Sequence, residues 1–174
     1  MVAASAVSRW SDFGFTREGL RNGARGEYWV LAQLLLFVAF FVLPVWPRWQ
    51  IDDIALWAFR VAGGLVLLLG LWLARSSVRA LGNSLTPLPH PKDDAQLATA
   101  GPYRYLRHPI YSAVLTIALG YALLRTSVSH AIAAMLLLLF FDLKARREER
   151  WLSQKFSGYA QYASRTKRFI PRLY

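Results

Sequence analysis

Apolar residues gather in four segments, at 28–46, 54–74, 110–124 and 128–143, and nearly all of the charge lies between them. Roughly 20 consecutive apolar residues cross the hydrocarbon core of a bilayer as a helix. Inside lipid every backbone N–H and C=O must find its partner within the segment, so helices are the form such a chain takes. Hydrophobic residues are 55% of the 174, and the mean hydropathy is +0.27, a balance that belongs to a membrane protein. The pattern predicts an all-α integral membrane protein of about four transmembrane helices. The last two segments are near the lower limit for spanning, and they read as a tight hairpin turned at Arg125-Thr126-Ser127.

Residues 1–27 read as a cytoplasmic N-terminal arm, 28–74 as two transmembrane helices, and 75–174 as the region that carries the polar clusters. The apolar run begins too late for a secretory signal peptide, and no small-residue cleavage site follows it. Pro44 and Pro47 close the first segment, and Arg60 sits inside the second, within reach of Asp52 and Asp53 by snorkelling. The interval 75–108 carries Pro87, Pro89 and Pro91, so it is expected to be a cytoplasmic loop rather than a regular helix. Over 148–162, Trp151, Leu152, Phe156, Tyr159 and Tyr162 recur at helical spacing among cations, which predicts an interfacial C-terminal helix.

A net charge of +11 and a pI near 10.6 would suit a nucleic-acid partner, but the placement of the charge excludes one. Four cations lie in the arm, five in the central loop and nine in the tail, whereas only Arg48 and Arg125 fall on the opposite side. By the positive-inside rule both termini and the central loop are expected to face the cytoplasm, and the chain is expected in the cell's inner (plasma) membrane. With no Cys, thiolate chemistry and disulfides are excluded. The three His residues, His90, His108 and His130, stand in different segments, so no metal site is expected.

Two clusters carry chemistry. The first is Gly101-Pro102-Tyr103-Arg104-Tyr105-Leu106-Arg107-His108-Pro109-Ile110-Tyr111, at the mouth of the third apolar segment. Pro109 is favoured at a first helical position, which makes His108 an N-cap and gathers Arg107, His108 and free N–H groups at a positive helix end. The second is the run from Lys144 to Arg150, where Lys144 and Glu148 share a helical face and Glu149 lies beside them. Arg and Tyr at helix ends also serve as plain interfacial anchors, and runs of Lys, Arg and Glu as solvated faces. It is the pair of clusters, at two segment ends on one side of the membrane, that points to a site, because polar groups near lipid are costly to keep.

The series GPYRYLRHPIYSA, a short hairpin, then EERWLSQKFSGYAQYASRTKRFIP resembles the isoprenylcysteine carboxyl methyltransferase family and the related phospholipid methyltransferases. The likeness runs from Leu81 to Tyr174; the first two segments match by hydropathy alone. It implies that 75–174 is the catalytic region, that the cofactor is S-adenosyl-L-methionine, and that a lipophilic or lipid-linked acceptor arrives from the bilayer. By position it implies a cofactor pocket formed by Gln96, Leu97, Ala98, Tyr103, His108, Pro109 and Tyr111, with Glu148 touching the cofactor. An Arg that meets the acceptor in that family falls here on Lys144, a departure that exchanges a planar fork for a point charge. Arg75 or Arg79, just before Leu81-Gly82-Asn83, supplies another cation; with Lys144 these are the expected catalytic residues.

Methyl transfer is an in-line displacement that needs alignment above all. A carboxylate acceptor, the leading choice, needs no base, whereas an amine or hydroxyl would use His108 or Glu148 to take up a proton. Two other readings compete. One is an NADPH-dependent membrane reductase of the sterol-reductase type, whose relatives share the Arg-His-Pro-x-Tyr region. The other is a non-enzymatic membrane subunit whose clusters set topology or bind anionic lipid.

Overall fold

The structure is a computed structural model, and it describes residues 17–46 and 51–174. Most of the predicted arm, together with Pro47 and Arg48, lies outside the described residues. Among the described residues the chain is helical and has no strand: α1 (Arg17–Asn22), α2 (Glu27–Val42), α3 (Asp53–Leu81), α4 (Pro109–Arg125), α5 (Val128–Lys155) and α6 (Tyr159–Arg165). Single 3-10 turns lie at Gly82–Ser84 and Gly101–Arg104.

Two helices, α3 and α5, are long and apolar enough to cross a membrane. Only 11% of the apolar window of α3 is buried, so it is not the core helix of a soluble domain. Large apolar side chains such as Leu34, Phe41, Trp57, Leu65 and Trp72 are exposed along α2 and α3, a surface suited to lipid. The other two expected spans are apolar but shorter, at 16 residues for α2 and 17 for α4. Length by itself therefore carries two spans of the expected four. Local chemistry sets these limits: α2 stops just ahead of Pro44, and α4 ends where Thr126 turns left-handed at φ 44°.

The helices run beyond the hydropathy boundaries. The second was expected to end at residue 74, yet α3 continues to Leu81, with Ser77 Oγ donating back to Leu73 O at 2.6 Å. It starts on an Asp52 cap, whose carboxylate accepts from Ala55 N at 2.8 Å. Arg60 is exposed and lies over the Trp57 ring at 5.7 Å. The separate interfacial helix expected over 148–162 is a correction. Its first half is the end of α5, the chain breaks at Phe156-Ser157-Gly158, and α6 follows. A glycine and a serine interrupt the helical run, and Tyr159 turns inward, buried instead of facing headgroups.

The α3–α4 contact is backbone against backbone. A Cβ on Gly63 would lie 2.7 Å from Leu124 N and 2.8 Å from Gly120 O; one on Gly120 would lie 2.6 Å from Leu67 N. Small residues permit this approach where lipid gives helices no hydrophobic reason to associate. The buried core sits between α2, α4, α5 and the tail, around Phe40, Ala118, Leu137, Phe141 and Phe169. At the hairpin turn, Ser127 caps α5 and Ser129 Oγ donates to Pro44 O at 2.6 Å, tying α2 to the hairpin.

At the other end the tail folds back as a strap. Arg107 N donates to Lys167 O at 2.7 Å, Lys167 N to Tyr105 O at 3.1 Å, and His108 N to Arg168 O at 3.2 Å. The Pro-rich loop crosses the same end and is pinned there, with Lys155 Nζ donating to Asp93 O at 2.9 Å and His90 N to Arg25 O at 3.3 Å.

Candidate active site

The Pro-rich loop and the ends of α2, α4, α5 and α6 line a cavity of about 500 Å³. The two clusters, 33 or more residues apart in sequence, meet on its wall. Glu148 Oε2 accepts from Tyr111 OH at 2.7 Å and stands 3.6 Å from His108 Nδ1. The His108 ring lies parallel to Tyr111, with centroids 5.3 Å apart and planes 2° from parallel. Its Nε2 is 3.2 Å from Glu149 Oε1, so one imidazole bridges neighbouring carboxylates of α5. His108 occupies the N-cap position of α4 as expected, but its side chain makes no capping bond, because the ring is committed to the two glutamates.

Glu149 is the hub behind this wall. It accepts from Arg107 Nε at 2.9 Å, from Arg168 Nε at 3.1 Å and from Arg168 Nη2 at 2.8 Å. Burial works to raise its carboxyl, but the hydrogen bonds from His108, Arg168 and Arg107 together outweigh burial and hold it well below the usual carboxylate range. Arg168 also donates to Asp142 Oδ1 at 2.8 Å, and Arg107 Nη1 caps the tail at Ala163 O and Thr166 O, at 3.0 and 2.5 Å. Arg107 and Glu149 are both mostly buried, and every charge in the knot has an opposite neighbour.

Tyrosines form the facing wall. Tyr162 OH donates to Tyr103 O at 2.8 Å. Burial pushes the Tyr162 phenol up to about 12, and burial, with Glu148 or Glu149 nearby, pushes Tyr103 and Tyr159 higher still. These phenols stay protonated through the physiological range and act as donors, not bases. Tyr159 is 4% exposed, lines the cavity, and its hydroxyl has no hydrogen-bond partner among the described residues. A buried polar group left without a partner is costly, so it marks where a ligand atom fits.

Of the residues expected from sequence, Gln96, Leu97, Ala98, Tyr103, His108, Tyr111, Lys144 and Glu148 all line the cavity. Pro109 is fully buried beneath the wall and does not line it. Arg75 and Arg79 are exposed on α3, outside the lining. Lys144 is 1% exposed and donates to Gln33 Oε1 at 2.6 Å and to Pro87 O at 2.9 Å. Sequence reasoning passed over Gln33, the hub role of Glu149, Tyr159 and Arg168. A lone Gln in an apolar run was a readable sign. Nothing in the sequence separates Arg168 from Arg165 and Lys167 beside it.

The family model for phospholipid methyltransferases matches residues 58–158, which take in α4, the whole of α5 and the cavity-lining loop. The chain belongs to the phospholipid methyltransferase family. Among its relatives are the cobalt-zinc-cadmium resistance protein CzcN of Cupriavidus metallidurans, 38% identical over 44% of this chain and 36% of that one. The nickel-cobalt-cadmium resistance protein NccN of Alcaligenes xylosoxydans xylosoxydans is 34% identical over 47% of this chain and 39% of its own length. Protein-S-isoprenylcysteine O-methyltransferase B of Arabidopsis thaliana is 30% identical over 66% of this chain and 60% of its own. The chain thus spans between 36% and 60% of the length of these curated relatives. Among the described residues, this family member has no group of three or more His, Cys, Asp or Glu placed to hold a metal ion.

Proposed function

We propose that this protein is an S-adenosyl-L-methionine-dependent methyltransferase of the inner membrane, working at the cytoplasmic face on a lipophilic acceptor drawn from the bilayer, with a carboxylate as the reacting group. Eighteen of the cations on one side of the chain support the orientation, with both termini in the cytoplasm. The observation that carries the reading is Glu148, a carboxylate aimed at an aromatic cavity by Tyr111 and His108 in a chain of this family.

The residues present fit such a donor. It carries an ammonium and a sulfonium, positive groups that suit the Glu148 carboxylate. It carries polar oxygens that would satisfy the partnerless Tyr159 hydroxyl. Its adenine suits the mostly apolar wall of Leu88, Leu97, Tyr103 and Leu152. When bound it supplies a methyl group on a positively charged sulfur, which departs as a neutral thioether, and an ionised oxygen acceptor releases no proton in the exchange. The chain's work is then to bind, align and exclude water. His108 and Glu149 hold Glu148 and Tyr111 in place, and Lys144 lies where an acceptor group would meet it.

Titration of the detergent-purified protein with S-adenosylhomocysteine and, separately, NADPH tests this. Saturable binding of the first and none of the second is expected, with Glu148→Gln and His108→Ala weakening it at least about tenfold, the loss of one charge-assisted contact each. Binding of NADPH alone would replace methyl transfer by reduction, and binding of neither would leave a non-enzymatic subunit. Membranes given labelled donor would then identify the methylated product.

A further inference from the structure

Helix α2 lies outside the stretch matched to the family, yet it contributes Gln33 to the cavity wall, beside Val30. Lys144 Nζ donates to the side-chain oxygen of Gln33 at 2.6 Å. An ammonium offers donors only, so the oxygen, not the nitrogen, of this amide must face it. The Gln33 Nε2 group is left turned away from Lys144, and it makes no hydrogen bond to a described residue. Lys144 has a second bond, to Pro87 O at 2.9 Å, which leaves one of its three donors unused. It forms no salt bridge among the described residues, although it is almost completely buried. Glu148, the carboxylate one turn further along α5, is taken up by Tyr111.

The neighbours of Lys144 are the Tyr111 ring, 5.4 Å from Nζ, and Glu148 one turn away, with no anion in direct contact, an arrangement that a bound anion would relieve. Here the cation stands next to a neutral amide that adds N–H donors, in a cavity lined also by the apolar side chains of Val30, Val114 and Phe141. We infer that Gln33 and Lys144 together form a receptor for an anionic oxygen on the methyl acceptor, and that Gln33 is a specificity-determining residue which favours an oxygen anion over an amine. The amide N–H group adds a second kind of donor for a carboxylate, where Lys144 by itself offers a point charge. An ammonium headgroup would meet the like charge of Lys144, a built-in rejection. The inference rests on the methyltransferase reading for its acceptor, but the receptor can be measured without turnover.

Gln33→Glu is the decisive variant. It is isosteric, keeps an oxygen facing Lys144, and replaces the N–H donors by a second carboxylate oxygen. Gln33→Met removes the donors without adding charge, and carries the test should Gln33→Glu not fold. The probes are radiolabelled dodecanoate and dodecylamine, equal in chain length, bound to protein in nonionic detergent, with S-adenosylhomocysteine affinity measured in parallel. The parent should prefer dodecanoate. Gln33→Glu and Gln33→Met should each weaken dodecanoate binding about tenfold, as loss of hydrogen bonds to a charged group does, while S-adenosylhomocysteine affinity holds within about twofold. Parental dodecanoate affinity in both variants, or a parental preference for the amine, overturns the receptor. If the parent selects dodecanoate but binds no S-adenosylhomocysteine, the receptor stands and the methyltransferase reading falls. If it binds S-adenosylhomocysteine and the variants keep the parental selectivity, the reverse holds.

Discussion

Arg168 grips Glu149 with two prongs, Nε to Oε1 at 3.1 Å and Nη2 to Oε2 at 2.8 Å. The Arg is carried by the C-terminal strap and the Glu by α5, so this pair fastens the tail against the helix that bears the cavity-facing Glu148. Through His108, which touches both glutamates, the same contact reaches the start of α4. A residue six places from the chain's end is therefore a positioning residue for the site.

Replacing Glu149 by Gln should expose how much depends on this hub. The variant leaves Arg107, mostly buried, without its carboxylate partner, and strips one of two from Arg168, which keeps Asp142, and from His108, which keeps Glu148. Breaking a buried charge cluster in this way costs on the order of 3 kcal/mol. Thermal unfolding in detergent should show a clear drop for Glu149→Gln. Arg146→Gln, which breaks a pair whose Arg is 54% exposed, should change stability little.

The same carboxylate gives the protein an acid limit. Glu149 is held below its ordinary value of about 4.5 in the folded state, so it favours folding fully above that value. The contribution fades as pH falls through the unfolded value toward the lower folded one. Unfolding temperature should accordingly be flat in Glu149 terms above about pH 5 and decline below it, with Glu149→Gln losing that part of the slope. Equal acid slopes in parent and variant would contradict the role of Glu149.

What the sequence made legible were features that sit close together along the chain. Lys144 and Glu148 share a face because they are four apart, and the Arg107-His108-Pro109 run marks a helix start by local stereochemistry. Hydropathy located the apolar stretches but not the helix ends: it reports where lipid would stop, and α3 runs on through Ser76, Ser77 and Arg79 because they accept helical geometry. Partners brought together only by folding stayed hidden. Gln33 and Lys144 are 111 residues apart, and Arg168 became distinct from its cationic neighbours only when the strap set it against Glu149. Arg75 and Arg79 looked suitable as cations, but α3 turns them outward.

Neighbouring glycines in α3 should respond oppositely to the same change. A methyl group on Gly63 meets the backbone of α4 at 2.7 and 2.8 Å, and backbone cannot step aside as a side chain can. Overpacking of this kind costs about 1–3 kcal/mol. A methyl on Gly64 meets nothing within 4 Å, and Ala is favoured over Gly in a helix by roughly 1 kcal/mol. Gly63→Ala should lower the unfolding temperature and Gly64→Ala should hold or raise it. Matching effects would mean that the two helices are not in backbone contact.

Tyr159 offers a test in which stability and binding part company. Its hydroxyl is buried without a partner among the described residues, so Tyr159→Phe removes an unsatisfied polar group from the ligand-free protein at almost no change in shape. The unliganded variant should be as stable as the parent or more so, because the desolvation cost of the hydroxyl disappears. Binding should move the other way. If the hydroxyl donates to a polar atom of the methyl donor, losing that bond weakens S-adenosylhomocysteine by about 1 kcal/mol, roughly fivefold. Calorimetry and thermal unfolding on the same preparation separate the outcomes: a variant at least as stable but weaker in binding assigns Tyr159 to the ligand. A variant that loses stability and keeps its affinity would make Tyr159 a structural member of the wall.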